Sequence, residues 1–336
     1  MKYIEALRSS LEITLSESNY NILMGEDISD PYGGAFKITK GLSTKYPDQI
    51  IHTPISENGF LGVATGMAFV GFNLIVEIMF CDFITHIVDP IINTASKLEW
   101  FSQGKMKGTI VIRTPAGGGR GYGPIHSQNL EKIFFGWPNV SVFAPNILTD
   151  PGMLFRQVFK EHTSVKFFIE NKSDYPKTII DDNYLISKGL KRKIINTDFP
   201  TTVLFNNEKN IDSDVIICCY GGMVEHAIET SYNLLIDDEI TTKIYVPTQI
   251  SPIDDSTINS IASNNSIMIF VEQGYASTGW CSQLITQLIQ SEKCKCDLSK
   301  IKIIGPLEEP IPANIFKERD FFPDSRKIIS KVRELT

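Results

Sequence analysis

Glu57 begins a glycine-rich stretch that runs to Gly71 and contains residue types that could bind a ligand. The stretch is predicted to be a helix with Gly59, Gly62 and Gly66 on one face, because their spacing is i, i+3 and i+7. Each glycine costs about 1 kcal/mol of helix stability relative to alanine, which suggests that another group approaches this backbone closely. A carboxylate at a helix start is favoured by the helix dipole. The same pattern is typical of a close-packed helix and strand with a capping glutamate, so a structural interpretation stays open.

His126 follows a loop, Gly117 to Gly123, that contains five glycines. The loop matches neither the phosphate-binding pattern G-x-x-x-x-G-K-[ST] nor a G-x-G-x-x-G fingerprint in the required frame. Long glycine loops at the carboxyl ends of parallel strands tend to line ligand crevices. A helix is predicted from His126 to about Phe135, and a helix N-terminus favours a neutral imidazole that can act as acid or base. A capping or hydrogen-bonding histidine is the alternative.

The other histidines and the cysteines have no comparable setting. We interpret His52, His86, His162 and His226 as structural residues. The six cysteines lack zinc-ligand and redox spacing, and Cys294-Lys-Cys296 has no partner pair. Buried or incidental thiols are therefore predicted, and no metal ligands are assigned in this chain.

Composition restricts the class of protein. The 336 residues are enough for two domains, and 42% hydrophobic with 21% charged residues is normal for a globular chain. A net charge of −7 argues against a general nucleic-acid surface. No apolar run reaches the roughly 18 residues of a membrane span, and the N-terminus resembles neither a signal nor a transit peptide. A cytoplasmic protein without a membrane partner is expected.

Short apolar runs alternate with amphipathic segments along most of the chain. This alternation predicts an α/β fold with a mainly parallel sheet and helices on both faces, followed by a smaller parallel sheet. A helix is predicted over 3–17, and another over Phe83–Phe101, where Pro90 must lie in the first turn or kink the helix. Residues 171–212 are polar and irregular, which is typical of a connection. The predicted division is a first domain at 1–175, a linker at 176–210 and a second domain at 211–336.

Several short segments together resemble one protein family over nearly the whole length. The family is the beta subunit of the thiamine-diphosphate-dependent first component of 2-oxoacid dehydrogenase complexes, which include the pyruvate, branched-chain and acetoin systems. Each segment is weakly specific alone, whereas their order and spacing are highly specific. The segments are Met24-Gly-Glu-Asp27, Tyr32-Gly-Gly34, Thr39-Lys-Gly-Leu42, Thr53-Pro-Ile-Ser-Glu57, the glycine helix, Glu77-Ile-Met-Phe-Cys-Asp-Phe83, Ile112-Arg-Thr-Pro115, His126-Ser-Gln128 and Val271-Glu-Gln-Gly274.

The resemblance implies a fold and a role for five residues. The first domain would bind the pyrimidine end of thiamine diphosphate, and the second would be a transketolase C-terminal-like domain. In this family a glutamate carboxyl bonded to the pyrimidine ring turns its amino group into an imino base, and the cofactor reacts as an ylid at its thiazolium carbon. Glu57 corresponds to that glutamate, and burial would raise its pKa. Phe83 corresponds to the aromatic residue stacked on the pyrimidine and His126 to the histidine of acyl transfer, and Glu26 and Ile55 are further cofactor-binding residues.

The resemblance also implies a partner chain. The family's other half carries a G-D-G motif followed by paired asparagines, which bind Mg²⁺ and the diphosphate, and this sequence has no G-D-G. An alpha subunit would therefore supply those groups, giving an α2β2 heterotetramer. The segment from Gly62 to Gly66 resembles the family's small-residue helix at a subunit contact.

Three positions depart from the family pattern. Asp89-Pro90 replaces the usual Asp-Gln, and Asn73-Leu74 replaces the usual Arg-Pro. The family's potassium loop reads Asp-x-Asn/Asp-Pro, whereas this chain has Glu161-His-Thr-Ser164, which leaves a structural K⁺ ion an open question.

The function implied by the resemblance is oxidative decarboxylation of a small 2-oxoacid, with acyl transfer to the lipoyl group of an acyltransferase core. One alternative is the beta half of a split transketolase-type enzyme that ligates or cleaves carbon–carbon bonds without oxidation. Another is an α/β binding module that has lost its chemistry. The joint presence of Glu57, Phe83 and His126 argues against the latter.

Overall fold

The structure of this protein is a computed structural model that describes residues 1–161, 165–196, 198–207 and 213–336. Most of its strands follow the predicted apolar runs. Their bounds are β1 (Asn21–Gly25), β2 (Ile50–His52), β3 (Asn73–Glu77), β4 (Ile110–Ala116), β5 (Val140–Phe143), β6 (Val165–Asn171), β7 (Lys191–Ile194), β8 (Thr201–Phe205), β9 (Val215–Cys219), β10 (Thr242–Pro247), β11 (Gln249–Ser251), β12 (Ile267–Val271) and β13 (Ile301–Ile304). His162 and most of the segment that resembles the potassium loop lie outside the described residues.

The helices alternate with these strands. They are α1 (Tyr3–Glu17), α2 (Leu42–Lys45), α3 (Glu57–Val70), α4 (Leu98–Phe101), α5 (Pro151–Lys160), α6 (Asp182–Ser187), α7 (Val224–Asp238), α8 (Asp255–Ala262), α9 (Trp280–Gln290), α10 (Ile315–Phe321) and α11 (Ser325–Arg333). The predicted helix over 3–17 is confirmed by α1. In the described part of the chain, no helix has the length and apolar character needed to cross a membrane.

The described strands form two sheets. The first has the order β11-β5-β6-β4-β3-β1-β2, and all its pairs are parallel except β11 with β5. The second has the order β13-β12-β9-β10-β8-β7, with a parallel half and an antiparallel edge made by β8 and β7. The predicted α/β class with two domains is confirmed.

Both faces of the first sheet are buried, as the continuous apolar strands require. In β3, Leu74 and Val76 enter one core with Phe60 of α3, whereas Ile75 enters the other core with Leu11 of α1. Because successive side chains of a strand point to opposite faces, α3 and α1 must cover opposite sides of the sheet. Because these strands are parallel, their carboxyl ends lie at the same edge of the sheet.

Two predictions about local structure are wrong, and three elements were not predicted. Phe83–Phe101 is not one helix, because Pro90 lacks an N–H and the chain there forms two 3-10 segments and a π-turn before α4. The supposed connection at 171–212 contains α6, β7 and β8. The short strand β11 and the helices α10 and α11 had not been predicted.

Candidate active site

Two carboxyl groups lie near each other where β1 ends and α3 begins. Glu26 follows β1 and is 7% exposed, and its Oε1 has no hydrogen-bond partner among the described residues. Burial raises the pKa of Glu26 to about 7, and the negative charges of Glu57 and Asp27 add to this rise, whereas the Ser56 backbone N–H opposes it. Glu26 therefore carries a proton more readily than an ordinary glutamate and has an oxygen available for a ligand.

Glu57 is the first residue of α3, where unpaired backbone N–H groups and the helix dipole favour a carboxylate. Its side chain is partly exposed, so the burial implied by the resemblance is absent in this single chain. Asn58 Nδ2 donates to the His86 backbone carbonyl at 3.5 Å, which ties the start of α3 to the segment Cys81–Ile87. Ile55, two residues before Glu57, is 84% exposed.

An aromatic cluster consists of Phe36, Phe80, Phe83, Tyr122 and His126. The Phe80 ring is its centre, with ring centroids 4.7 Å from His126, 5.8 Å from Phe36, 5.9 Å from Phe83 and 6.3 Å from Tyr122. The Phe83 ring also lies edge-on to His126, with 5.4 Å between centroids. The structure thus brings Phe83 and His126 together, as the sequence suggested.

His86 connects this cluster to the carboxyl pair. Its ring centroid is 6.3 Å from that of Phe83, and it lies close enough to Glu26 to influence the pKa of that carboxyl. Sequence reasoning treated His86 as structural, although it lies in the same segment as Phe83. Electrostatic influence therefore links Glu57 and His86 to Glu26, and ring contacts link His86 through Phe83 to His126.

No α-helix begins at His126, so that prediction is wrong, together with the argument from its dipole. Residues 126–130 are irregular and precede a short 3-10 segment, Glu131–Phe134. Side chains from elsewhere hold this loop. Lys172 Nζ donates to the His126 carbonyl at 2.9 Å, and Asp82 Oδ1 accepts from the backbone N (3.2 Å) and Nε2 (2.8 Å) of Gln128. The loop is fixed by tertiary contacts that local sequence does not encode.

Lys172 is a buried cation that the sequence reasoning missed. Burial lowers the pKa of Lys172 to about 8. The charges of Asp82 and Cys81 oppose this lowering, and the positive charge of Arg120 increases it. Its Nζ lies 5.3 Å from the centroid of the Phe80 ring. The available signal was a lysine immediately after the apolar strand β6, at the edge where a parallel sheet binds ligands.

The glycine loop, residues 117–123, is held by the second domain. Glu318 of α10 accepts a hydrogen bond from the Gly121 backbone N at 2.5 Å. A Cβ at Gly118 would lie 2.1 Å from the Phe322 ring, so only glycine allows this close approach. Glu318 is separated from Gly121 by 197 residues, and nothing local in the sequence predicts the pairing.

Further contacts join the two domains beside the site. Asn171 Nδ2 donates to Gln273 Oε1 at 2.8 Å, and a Cβ at Gly222 would lie 2.4 Å from the Asn171 Nδ2 atom. The Tyr220 hydroxyl donates to the buried Glu131 at 2.5 Å. Residues from both domains therefore border the His126 loop.

The centre of the first sheet contains a buried ion network. Arg113 bonds to both carboxylate oxygens of Glu170, at 2.9 Å and 2.7 Å, and also pairs with Glu77. Tyr175 donates to Glu170 at 2.8 Å. Burial raises the pKa of Glu77, which the Arg113 charge opposes. Among the described residues, no group of three or more His, Cys, Asp or Glu side chains could hold a metal ion.

Two family models match this chain. Residues 1–178 match the transketolase pyrimidine binding domain, and residues 206–328 match the transketolase C-terminal domain. The first match alone covers more than half of the chain.

Curated relatives and a solved structure agree with these matches. The chain is 29% identical over 326 residues to pyruvate dehydrogenase E1 component subunit beta-1, mitochondrial, of Arabidopsis thaliana, covering 97% of this chain and 86% of that protein. It is 28% identical over 338 residues to pyruvate dehydrogenase E1 component subunit beta of Rickettsia felis, covering 98% and 97%. A structure described as a split gene transketolase, inactive beta4 tetramer, matches with a TM-score of 0.71 and 16% identity, covering 100% of this chain and 98% of that chain, which supports the fold alone.

Proposed function

The chain belongs to the transketolase family with paired pyrimidine-binding and C-terminal domains, and on this premise we propose that it is the beta subunit of a thiamine-diphosphate-dependent 2-oxoacid dehydrogenase. Its full-length similarity to E1 beta subunits supports the subunit type. The observation that carries the proposal is the Glu26–Glu57 carboxyl pair beside the aromatic cluster, at the carboxyl end of a parallel sheet.

The side chains present fit the pyrimidine end of thiamine diphosphate. An aminopyrimidine needs hydrogen-bonding groups at its nitrogens and apolar surfaces on its faces. Glu26 has an unpartnered buried oxygen, Glu57 is only partly buried, and Ile55 and Phe83 present apolar surface. In this proposal Glu57 and Glu26 bind the ring edge, whereas Phe83 and Ile55 contact the ring.

Glu57 is the proposed proton-sharing residue. When bound, the cofactor would supply a nucleophilic carbon and an electron sink for the decarboxylation of a 2-oxoacid. Glu57 holds a proton at its carboxyl oxygen and exchanges it with the pyrimidine edge. Contact with a partner would shield the partly exposed Glu57 side chain from water.

His126 is the proposed residue for proton transfer to the acyl acceptor. Its ring is oriented by Phe80 and Phe83, and its loop is fixed by Lys172. An imidazole in this position can exchange protons with a substrate oxygen or an acceptor thiol. The proposed acceptor is the lipoyl group of an acyltransferase core, and the substrate is a small 2-oxoacid.

An alpha subunit is proposed to complete the site. In α3, a Cβ at Gly62 or Gly66 would meet nothing within 4 Å, although glycine destabilises the helix there. The close approach that the glycines allow must therefore come from outside the described chain. Since the sequence has no G-D-G motif, we assign Mg²⁺ and diphosphate binding to that partner, in an α2β2 assembly.

The test is to coexpress the chain with an alpha subunit carrying the G-D-G motif and to measure thiamine diphosphate binding with Mg²⁺ by calorimetry. We expect a copurifying complex that binds the whole cofactor far more tightly than either chain alone. In the complex, Glu57→Gln should lower 2-oxoacid decarboxylation about 10²- to 10⁴-fold, since it removes an acid–base group. The exposed Glu308→Gln should have no such effect.

Two outcomes would contradict this proposal. Tight binding of the complete cofactor by the isolated chain would refute the shared site. Ligation of an aldehyde acceptor with no acyl transfer to a lipoyl domain would instead support the split transketolase-type function.

A further inference from the structure

Arg120 projects from the glycine loop and has unused donors. One of its amino groups donates to the Lys172 backbone carbonyl at 2.8 Å, and its guanidinium carbon lies 5.3 Å from the centroid of the Phe36 ring. The side chain is half-buried. Among the described residues, no carboxylate forms an ion pair with it, whereas Arg113, Arg156 and Arg192 each pair with one.

A second cation lies beside Arg120. Lys172 is completely buried, and Arg120 contributes to the lowering of its pKa, which means that the two positive charges repel each other. Lys172 Nζ donates to the His126 carbonyl and also forms no ion pair within the described chain. The Asp82 and Glu318 carboxylates offset part of this repulsion at Lys172, but among the described residues neither forms an ion pair with Arg120 or Lys172, so a bound anion would stabilise the two cations further.

The position of Arg120 indicates which part of a substrate it could reach. Its guanidinium lies on Phe36, Phe36 contacts Phe80, and Phe80 contacts His126. The guanidinium is thus separated from the imidazole by two aromatic rings. A Cβ at Gly119 would meet nothing within 4 Å, so the residue before Arg120 borders open space.

We propose that Arg120 determines substrate specificity by binding a carboxylate or phosphate group at the end of the substrate remote from the reacting carbonyl. The guanidinium offers two parallel N–H donors, which match both oxyanions, and its stacking on Phe36 keeps the fork in one plane. Lys172 acts as a positioning residue that holds the His126 loop and adds positive potential. This inference rests on the proposed function, because it concerns the substrate of the same site.

The test uses the assembled alpha–beta enzyme and compares two oxoacids of equal chain length, 2-oxoglutarate and 2-oxopentanoate. The native enzyme should have the higher kcat/KM for 2-oxoglutarate. Arg120→Gln should lower the ratio of the two values about tenfold or more, since it removes charge-assisted hydrogen bonds. Arg120→Lys should lower this ratio by a smaller factor, because the positive charge remains but the two parallel donors are lost. If Arg120→Gln does not assemble, the ratio measured for Arg120→Lys tests the proposal.

Binding measurements separate this inference from the proposed function. Calorimetry with glutarate, propyl phosphate and pentanoate needs no turnover, and both dianions should bind more tightly than pentanoate in the native enzyme only. The dianion that binds more tightly, glutarate or propyl phosphate, shows whether the site prefers a carboxylate or a phosphate. Arg319→Gln is the matched control, because Arg319 is exposed, lies 6.0 Å from the Phe316 ring and has no ion pair within the described residues.

The proposal is overturned if Arg120→Gln lowers kcat/KM equally for both oxoacids, which would indicate binding of the reacting carboxylate or a structural role. An equal effect of Arg319→Gln, or equal affinity for glutarate, propyl phosphate and pentanoate, would also overturn it. If no 2-oxoacid is decarboxylated but the dianions still bind through Arg120, the proposed function fails and the anion site remains.

Discussion

At the residue scale, the two carboxyl groups at the end of β1 differ in their surroundings. Glu26 is buried and holds its proton up to about pH 7, whereas Glu57 is partly exposed at a helix N-terminus. Neighbouring carboxyl groups in unlike environments are a common arrangement for acid–base work, because the two groups can then take different roles. Burial without a full set of hydrogen bonds makes Glu26 costly for the fold, which points to a ligand as its missing partner.

The raised pKa of Glu26 predicts how stability depends on pH. Between about pH 4.5 and 7 the unfolded chain has lost a proton that the folded chain keeps, so the free energy of unfolding falls as the pH rises through this window. Glu26→Gln should flatten that slope, because the amide does not titrate. The measurement is urea unfolding of the isolated chain at several pH values from 5 to 8.

A second buried carboxyl group and one control variant define what to expect from this prediction. Glu272 is also buried, and its pKa is raised to about 7. Because Glu272 still titrates in Glu26→Gln, part of the pH dependence of the free energy of unfolding should remain in that variant. Exposed Glu308→Gln should leave the whole slope. An unchanged slope in Glu26→Gln would mean that Glu26 ionises normally in the folded chain.

At the element scale, α3 combines a poor helix-forming sequence with an open face. Gly66→Ala should stabilise the isolated chain by about 1 kcal/mol, because alanine is the better helix former and its Cβ meets nothing. The same change should weaken association with the alpha subunit, since a Cβ would obstruct a helix packed against that face. Thermal unfolding of the single chain and a binding titration with the partner test the two effects separately.

Matched variants make this prediction specific. Ser330→Ala, on the exposed face of α11, should raise stability without changing association. Gly222→Ala should destabilise the chain, because its Cβ would lie 2.4 Å from the Asn171 Nδ2 atom. If Gly66→Ala binds the partner as tightly as the native chain, the glycine face of α3 is not a subunit contact.

Elements with strong local patterns could be predicted from the sequence, and those fixed by distant contacts could not. The strand β9 has five consecutive buried apolar residues and was found. The edge strand β7, Lys191–Ile194, is largely exposed and polar, so it resembled a loop. The helix α11 was missed despite a signal, since Asp324 caps it and Ile328 and Val332 are buried four residues apart.

In the candidate site, too, some residues could be predicted from short motifs and others could not. Phe83 and His126 were found through short motifs, and the structure brings them into contact. Lys172 and Glu318 were missed because their partners, His126 and Gly121, lie 46 and 197 residues away. No periodicity or spacing within a short window encodes such pairs.

At the scale of the whole molecule, the second domain helps to build the site on the first. The strand β11 follows β10 of the second sheet but pairs with β5 of the first. Asn171 at the end of β6 bonds to Gln273, and Glu318 bonds to the glycine loop. The two domains are thus connected on the side where the His126 loop lies, so a change in the second domain should be detectable in that loop.

The bond between Glu318 and the Gly121 backbone predicts how the glycine loop responds to change in α10. Glu318→Ala should release the loop, because it removes the buried acceptor of the Gly121 N–H. Arg120 lies next to Gly121 and is a trypsin site, so cleavage after Arg120 reports on loop opening. We expect Glu318→Ala to be cut after Arg120 several-fold faster than the native chain, as measured by mass spectrometry at early times.

A conservative variant of Glu318 and a distant variant decide whether the Glu318–Gly121 hydrogen bond is what keeps cleavage after Arg120 slow. Glu318→Gln keeps an acceptor oxygen and should restore slow cleavage after Arg120, whereas Glu308→Ala, on the exposed loop before α10, should leave it at the native rate. Cleavage at exposed lysines such as Lys40 provides an internal reference, since it should not change with Glu318. Equally fast cleavage after Arg120 in Glu318→Ala and Glu318→Gln would mean that the charge of Glu318 holds the loop. Slow cleavage in both would mean that the glycine loop keeps its conformation without the Glu318 hydrogen bond, and the prediction would then be wrong.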